Sequence, residues 1–268
     1  MRLGIVTPFY FPSVRGNSIT VQRIESGVRD QGVIVRVWSL ENGISPGEIL
    51  QALEEFTPDL VHGFHASSSG QVVTDAAFRL GIPSILTVTG TDVNTDLFDP
   101  YRRTEIMNVL RRATRIVVFH DVMRVKLVGE LPEVEHRIRV IGQTVRCQEA
   151  PFDLRHHLGL QPDDLIFCLP SGIRRIKDVT FCLKPLDALR IRYPQVKAVF
   201  VGPIIEAAEG ARLQELLRDY PWAFYLGPVP HEQLCAMLTS VDVVINSSLS
   251  EGGMANSILE AMSCGRAV

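Results

Sequence analysis

Short apolar runs alternate with amphipathic stretches along this chain, and that rhythm restricts its fold more than any other feature. The runs at 3–7, 33–38, 60–62, 84–88, 116–119 and 138–141 are rich in Val and Ile and apolar at consecutive positions. Such runs suit strands covered on both faces, as in a parallel sheet, whereas a half-exposed strand would alternate. Between them lie helical stripes, with Val21, Ile24 and Val28 at spacings of three and four, and Ile106, Val109 and Leu110 forming another. Each stripe is long enough to carry a right-handed crossover between parallel strands. The rhythm restarts after 143–151, with strand-like runs at 165–169, 196–201, 224–226 and 241–245 and helical segments near 178–192, 207–219, 231–239 and 256–264. The fold class expected is α/β, as two doubly wound Rossmann-like units over 1–147 and 148–268. A length of 268 residues fits two such units, at roughly 150 residues each.

Composition narrows the function. The chain is 46% hydrophobic and 21% charged, enough apolar material for a packed core. Its net charge is −3, without the broad positive field of a general nucleic-acid binder. No run approaches the roughly 18 apolar residues that span a bilayer. Weak peripheral membrane contact remains open, although no strongly basic amphipathic helix argues for stable attachment. Met1 leads directly into a strand-like run, so no signal peptide is read and a cytoplasmic location is expected. The five cysteines (Cys147, Cys168, Cys182, Cys235 and Cys264) are scattered, odd in number and without a C-x-x-C pair. They are therefore expected to be free thiols in a reducing compartment, forming neither a disulfide framework nor a zinc site.

In doubly wound sheets, ligands sit beyond the carboxyl ends of strands, so chemistry is sought in the loops that follow them. The loop at 8–18 contains Gly16 and Asn17 before a helix. It suits either an anion received on helix-start amides or a plain turn with Asn17 or Ser18 as the N-cap. It is not a G-x-G-x-x-G dinucleotide fingerprint. Gly172 is followed by Arg174 and Lys177, three apart, which can converge on one diphosphate. Cations at a helix start oppose the helix dipole and need a compensating anion, which favours that reading over a solvated basic turn. The densest segment, 246–262, ends a strand in small polar residues. It then offers Glu251, Gly252, Gly253, Met254 and Asn256, and places Glu260 about one turn into a helix.

The motif Ser247-Ser248-x-Ser250-Glu251-Gly252-Gly253-Met254-x-Asn256-x-x-Leu259-Glu260-Ala261-Met262 resembles the donor-site signature of glycosyltransferase family 4, the retaining GT-B enzymes. Gly172-x-Arg174-x-x-Lys177-Asp178 is similar to that family's phosphate-binding segment, and Val201-Gly202-Pro203 to its next glycine turn. Residues 59–62 and 87–93 are similar to its acceptor-domain landmarks. The resemblance implies a GT-B fold and a metal-independent, hexosyltransferase-type enzyme without cofactor, whose substrate is a nucleotide sugar. It implies that Glu260 binds the ribose, that Glu251 lies near the donor sugar, and that Arg174 and Lys177 neutralise the diphosphate. Gly16 would add backbone amides. The resulting donor set is Gly16, Asn17, Gly172, Arg174, Lys177, Gly202, Gly252, Gly253, Met254, Asn256 and Glu260, with Glu251, Arg174 and Lys177 catalytic and no metal. The Glu251–Glu260 interval is one residue longer than the family's usual spacing, with Gly253 as the inserted residue. The resemblance also implies that further strands and a final helix would follow Val268, so the second unit is expected to be incomplete.

His62 and His65 follow a strand and are read as cleft residues. Many family members place a His after the next inner strand, where this chain has Thr89-Gly90-Thr91-Asp92, so no catalytic His is assigned. His65, Thr91 and Asp92 are the acceptor-side candidates, with an Asx turn or N-cap as the alternative for Asp92. His136 and His231 have no constellation around them. The leading function is transfer of a sugar from a nucleoside-diphosphate sugar to an acceptor hydroxyl of unknown identity. A GT-B epimerase or phosphorylase and a non-catalytic nucleotide-sugar-binding module are the alternatives.

Overall fold

A computed structural model of the chain describes residues 1–13, 16–147, 150–251 and 253–268. The chain packs as two units, one of Met1–Thr144 with Glu251–Met254, the other of Val145–Ser250 with Ala255–Val268.

The first unit runs β1 (Arg2–Thr7), α1 (Gly16–Asp30), β2 (Ile34–Ser39), α2 (Pro46–Phe56), β3 (Leu60–Phe64), α3 (Ala66–Leu80), β4 (Ser84–Thr87), α4 (Thr91–Asn94), α5 (Arg103–Arg112), β5 (Arg115–Val118), α6 (Asp121–Glu130) and β6 (Ile138–Val140). Its strands order as β2-β1-β3-β4-β5-β6, and every pairing is parallel. The consecutive apolar residues of the strands explain this, because both faces are covered. Val6, Val61, Leu86 and Ile116 join the core under α2, α3 and α5, while Leu3, Ile5 and Phe64 join Val21 of α1. Helix starts are locally encoded: Ser45 and Glu48 form a reciprocal capping box on α2, with Pro46 in its first turn, where no N–H is needed.

The second unit runs α7 (Leu154–Leu158), β7 (Leu165–Pro170), α8 (Leu183–Arg190), β8 (Val196–Val201), α9 (Ala207–Leu216), β9 (Ala223–Gly227), α10 (His231–Thr239), β10 (Val243–Val244) and α11 (Asn256–Ser263). The strand order is β10-β7-β8-β9, again all parallel. Two apolar layers cover it. One centres on Phe200, Leu183 and Leu213, the other on Ile166, Val199, Met237 and Ala261. The helix expected near 178–192 is shorter than its apolar pattern. Residues Arg175–Lys177 and Val179–Cys182 form 3-10 turns, and the α-helix begins only at Leu183. Pro185 accounts for this, since without an N–H it is tolerated only in a first turn.

The cysteine expectation needs correction. Cys168 and Cys182 are buried free thiols, but Cys147 and Cys235 are joined in a disulfide across 88 residues, with Cα atoms 5.7 Å apart. The packing of the segment before α7 beside α10 creates this pair, and no short spacing announces it.

Candidate active site

In the second unit the loops that leave the carboxyl ends of β7 and β8 lie side by side. Beyond β7, Ser171 N–H donates to Val201 O at 2.7 Å, and beyond β8, Gly202 N–H donates to Gly227 O at 2.9 Å. Gly202 holds φ +137, and a Cβ there would lie 2.3 Å from Ser171 O. Only glycine allows that approach of one strand end to the next. At Gly172 a Cβ would meet only the side-chain tip of Ile205, at 2.5 Å, which can move aside. The chain thus leaves β7 in a tight bend that delivers Arg174 in extended conformation to the start of a 3-10 turn holding Lys177.

Arg174 Nε is buried and makes no hydrogen bond. A buried, unpaired donor on a cation costs free energy unless a ligand satisfies it. Lys177 follows within the same turn. That turn is tied to the loop after β10, because Ser247 Oγ donates to Lys177 O at 3.0 Å and Leu249 N–H donates to Ile176 O at 2.9 Å. The 246–250 segment and the basic turn therefore form one surface of the second unit.

Asn256 opens α11, and Glu260 lies one turn further, 3% exposed. Its Oε1 is 2.9 Å from Nε2 of His231, the first residue of α10. Sequence reading found no partner for His231, and the structure corrects that. The two residues belong to different helices, so no local spacing signals the pair.

The first unit holds the remaining candidates. Gly16 and Asn17 open α1, and Thr20 Oγ1 donates back to Gly16 O. Thr91 opens α4, and Asp92 beside it is fully buried. The Asp92 carboxylate accepts from the N–H groups of Ala66 at 2.9 Å, Thr89 at 3.1 Å, Gly90 at 2.9 Å and Val93 at 3.2 Å. Thr89 and Gly90 precede Asp92 and Ala66 belongs to α3, whereas an Asx turn or N-cap would engage N–H groups two or three residues further on, so the carboxylate ties the loop after β4 to the start of α3. His65, the N-cap of α3, holds φ +70, a conformation that costs a non-glycine residue about 1 kcal/mol or more. Its Nδ1 lies 3.1 Å from Ser67 Oγ and 3.2 Å from Ser68 Oγ. His62, read as a residue after the strand, lies inside β3. There it stacks on Phe64 and shares a hydrogen bond with Thr87 Oγ1 at 2.7 Å, and burial lowers its pKa to about 4.

Glu251 and Gly253 pack within this first unit. Asn94 Nδ2 donates to Glu251 O at 2.9 Å, and Lys126 Nζ donates to Asn94 Oδ1 at 2.9 Å. A Cβ on Gly253 would crowd Phe119 and Gln143, so glycine is what permits this seat. Glu251, Gly253 and the half-exposed Met254 join Asn94, His120 and Lys126 around a cavity of about 310 Å³. Asn94 and Lys126 were not legible as site residues, because their roles depend on which segment packs beside α4 and α6. Gly252 lies outside the described residues.

With this geometry established, comparison with known proteins gives a consistent answer. Residues 9–144, about half of the chain, match the family described as glycosyl transferase 4-like domain, and residues 164–268 match glycosyl transferases group 1. The chain belongs to this glycosyltransferase family. Family membership sets glycosyl transfer as the class of reaction. Glycosyltransferase 1 domain-containing protein 1 of Xenopus tropicalis is 26% identical over 262 residues, covering 92% of this chain and 72% of the relative. The crystal structure of Anabaena Alr3699/HepE in complex with UDP-glucose is similar with a TM-score of 0.76 at 17% identity, covering 99% of this chain and 79% of that one. The UDP-GlcNAc 2-epimerase of Methanocaldococcus jannaschii is similar with a TM-score of 0.67 at 15% identity, covering 99% and 82%. At these identities the structures share the GT-B fold. No helix among the described residues is long and apolar enough to cross a membrane.

Proposed function

We propose that this glycosyltransferase moves a sugar from a nucleoside-diphosphate sugar to an acceptor hydroxyl with retention of anomeric configuration. The observation that carries the reading is Arg174, a guanidinium with a buried, unpaired Nε at the end of β7, one turn from Lys177. Breaking the anomeric C–O bond builds negative charge on the departing diphosphate. A fixed guanidinium and ammonium stabilise that charge more in the transition state than in the bound donor. Neither needs a metal ion to do so, and the reaction is proposed to run without one. Glu260, aligned by His231, would accept from the ribose hydroxyls. The amides at the start of α11 would receive a phosphate, and Gly172 and Gly202 would shape the loops beside it. Glu251 would lie near the transferred sugar.

The donor of first choice is a UDP-hexose, since UDP-glucose occupies the Anabaena protein of the same fold. The test is direct. Thermal shift and calorimetry with UDP-, GDP- and ADP-sugars identify the donor, and product analysis with and without EDTA follows. Transfer or donor hydrolysis with retained configuration, insensitive to EDTA, is expected. Epimer formation would indicate a sugar-nucleotide epimerase, phosphate-dependent cleavage a phosphorylase, and stabilisation without turnover a binding module.

A further inference from the structure

Three of the five cysteines meet in the second unit. Cys147 precedes α7 and is exposed, Cys235 lies on α10 and is buried, and Cys264 closes α11 and is half-buried. Their sulfur atoms all lie within 4.8 Å of one another. Cys147 and Cys235 are bonded, and the Cys264 sulfur sits 3.9 Å from that of Cys147. A thiol in van der Waals contact with a disulfide is placed for exchange, the reaction in which a thiolate attacks one sulfur and expels the other.

We propose that Cys147, Cys235 and Cys264 form a thiol–disulfide exchange centre in which Cys264 displaces Cys235 from Cys147. The Cys264 thiolate attacks Cys147 Sγ, so the Cys147–Cys264 bond forms as the Cys147–Cys235 bond breaks. The electron pair leaves on the Cys235 sulfur, which takes up the proton that Cys264 released. Nothing is oxidised or reduced overall, and no co-reactant is needed. Ser263 Oγ, 3.2 Å from Cys147 Sγ, supplies a polar neighbour to the sulfur under attack.

The exchange moves a covalent tether between two helices. Cys235 stands four residues after His231 on α10, and Cys264 four residues after Glu260 on α11. One bond therefore fastens the segment before α7 to the helix bearing His231, the other to the end of the helix bearing Glu260. Any consequence for donor binding rests on the function proposed above, whereas the exchange itself does not. Cys168 and Cys182 serve as internal controls, because burial pushes the Cys182 thiol up to about 12 and raises that of Cys168 further.

The test is disulfide mapping of the full chain. The protein is oxidised with one equivalent of diamide, held anaerobically at pH 6 or pH 8, quenched in acid, alkylated and digested without reductant. Cys147–Cys235 and Cys147–Cys264 peptides are expected together, within about tenfold of each other in amount, since similar thiols exchange near thermoneutrality. They should interconvert faster at pH 8, where more thiolate is present. Cys264→Ser should hold only the first bridge and Cys235→Ser only the second. Any distribution in wild-type protein that lacks the Cys147–Cys264 bridge overturns the proposal. So does protein in which one equivalent of bound zinc shields all three thiols from alkylation, which would make the cluster a metal centre.

Discussion

Nε2 of His231 and Oε1 of Glu260 lie 2.9 Å apart, on two different helices of the second unit and 29 residues apart in sequence. Both side chains are largely withdrawn from water, with side-chain exposures of 14% and 4%. A buried carboxylate requires donors, and this one receives the first residue of α10. The pair therefore links the packing of α10 on α11 to the orientation of the carboxylate proposed to bind the ribose.

Glu260→Ala should abolish measurable donor binding, because it removes the carboxylate itself. His231→Ala should weaken donor binding by about tenfold, the worth of one hydrogen bond to a charged group, with a smaller effect on kcat. His231→Gln, which restores a donor, should recover part of the loss. Calorimetric titration of the nucleotide into all three variants checks this, and equal affinity across the set would detach Glu260 from the nucleotide.

Gly202→Ala tests the crossing of the strand ends. The new Cβ would stand 2.3 Å from a main-chain oxygen that cannot rotate away, at a backbone φ of +137. A loss of at least about 2 kcal/mol is expected, read from urea unfolding. Gly227→Ala is the control. It also has positive φ, but open space surrounds its Cβ position, so about 1 kcal/mol is expected from conformation alone.

What the sequence revealed and what it hid divide along physical lines. Parallel sheets were legible because strands buried on both faces must be apolar at consecutive positions, as β1 and β8 are. The bend at Gly172 and the basic turn at 174–177 were legible because glycine and charge are local signals. The shortening of α8 was also written locally, at Pro185, but its apolar stripe masked it. His62 misled because an imidazole reads as chemistry. In β3 it is a core residue beside Thr87 and Phe64. The His231–Glu260 pair, the Lys126–Asn94–Glu251 chain and the Cys147–Cys235 bond were out of reach, since each joins segments whose adjacency exists only after folding.

His62 should make stability depend on pH. Burial lowers its pKa from the ordinary 6.5 to about 4. Between these values the unfolded chain holds a proton that the folded chain does not. Stability from this group is therefore complete above about pH 6.5 and is lost as pH falls towards 4, by about 3 kcal/mol in all. Urea unfolding from pH 4 to 7.5 should show this slope in wild type. His62→Gln, which keeps a polar contact for Thr87 but does not titrate, should flatten it.

Arg174 and Lys177 should prove unequal in how they tolerate replacement. Arg174 offers a planar fork fixed by the extended backbone at the end of β7, and its Nε is already stripped of water without a protein partner. An ammonium at that position would reach fewer diphosphate oxygens and would not restore the fork. Arg174→Ala and Arg174→Lys should therefore both lower kcat by about 100-fold or more, the usual cost of removing a fixed transition-state donor. Lys177 acts as a compact charge on a turn held by Ser247. Lys177→Ala should be similarly damaging, whereas Lys177→Arg should keep a substantial part of the rate. Removing the buried unpaired donor should also leave the unliganded protein no less stable, and Arg174→Ala slightly more so, since an unsatisfied buried polar group is lost. Steady-state kinetics with the identified donor, paired with unfolding curves of the unliganded variants, reads both effects at once. An Arg174→Ala chain that turns over normally would remove the cation from the reaction. One that unfolds much earlier would show that Nε is held by the protein itself.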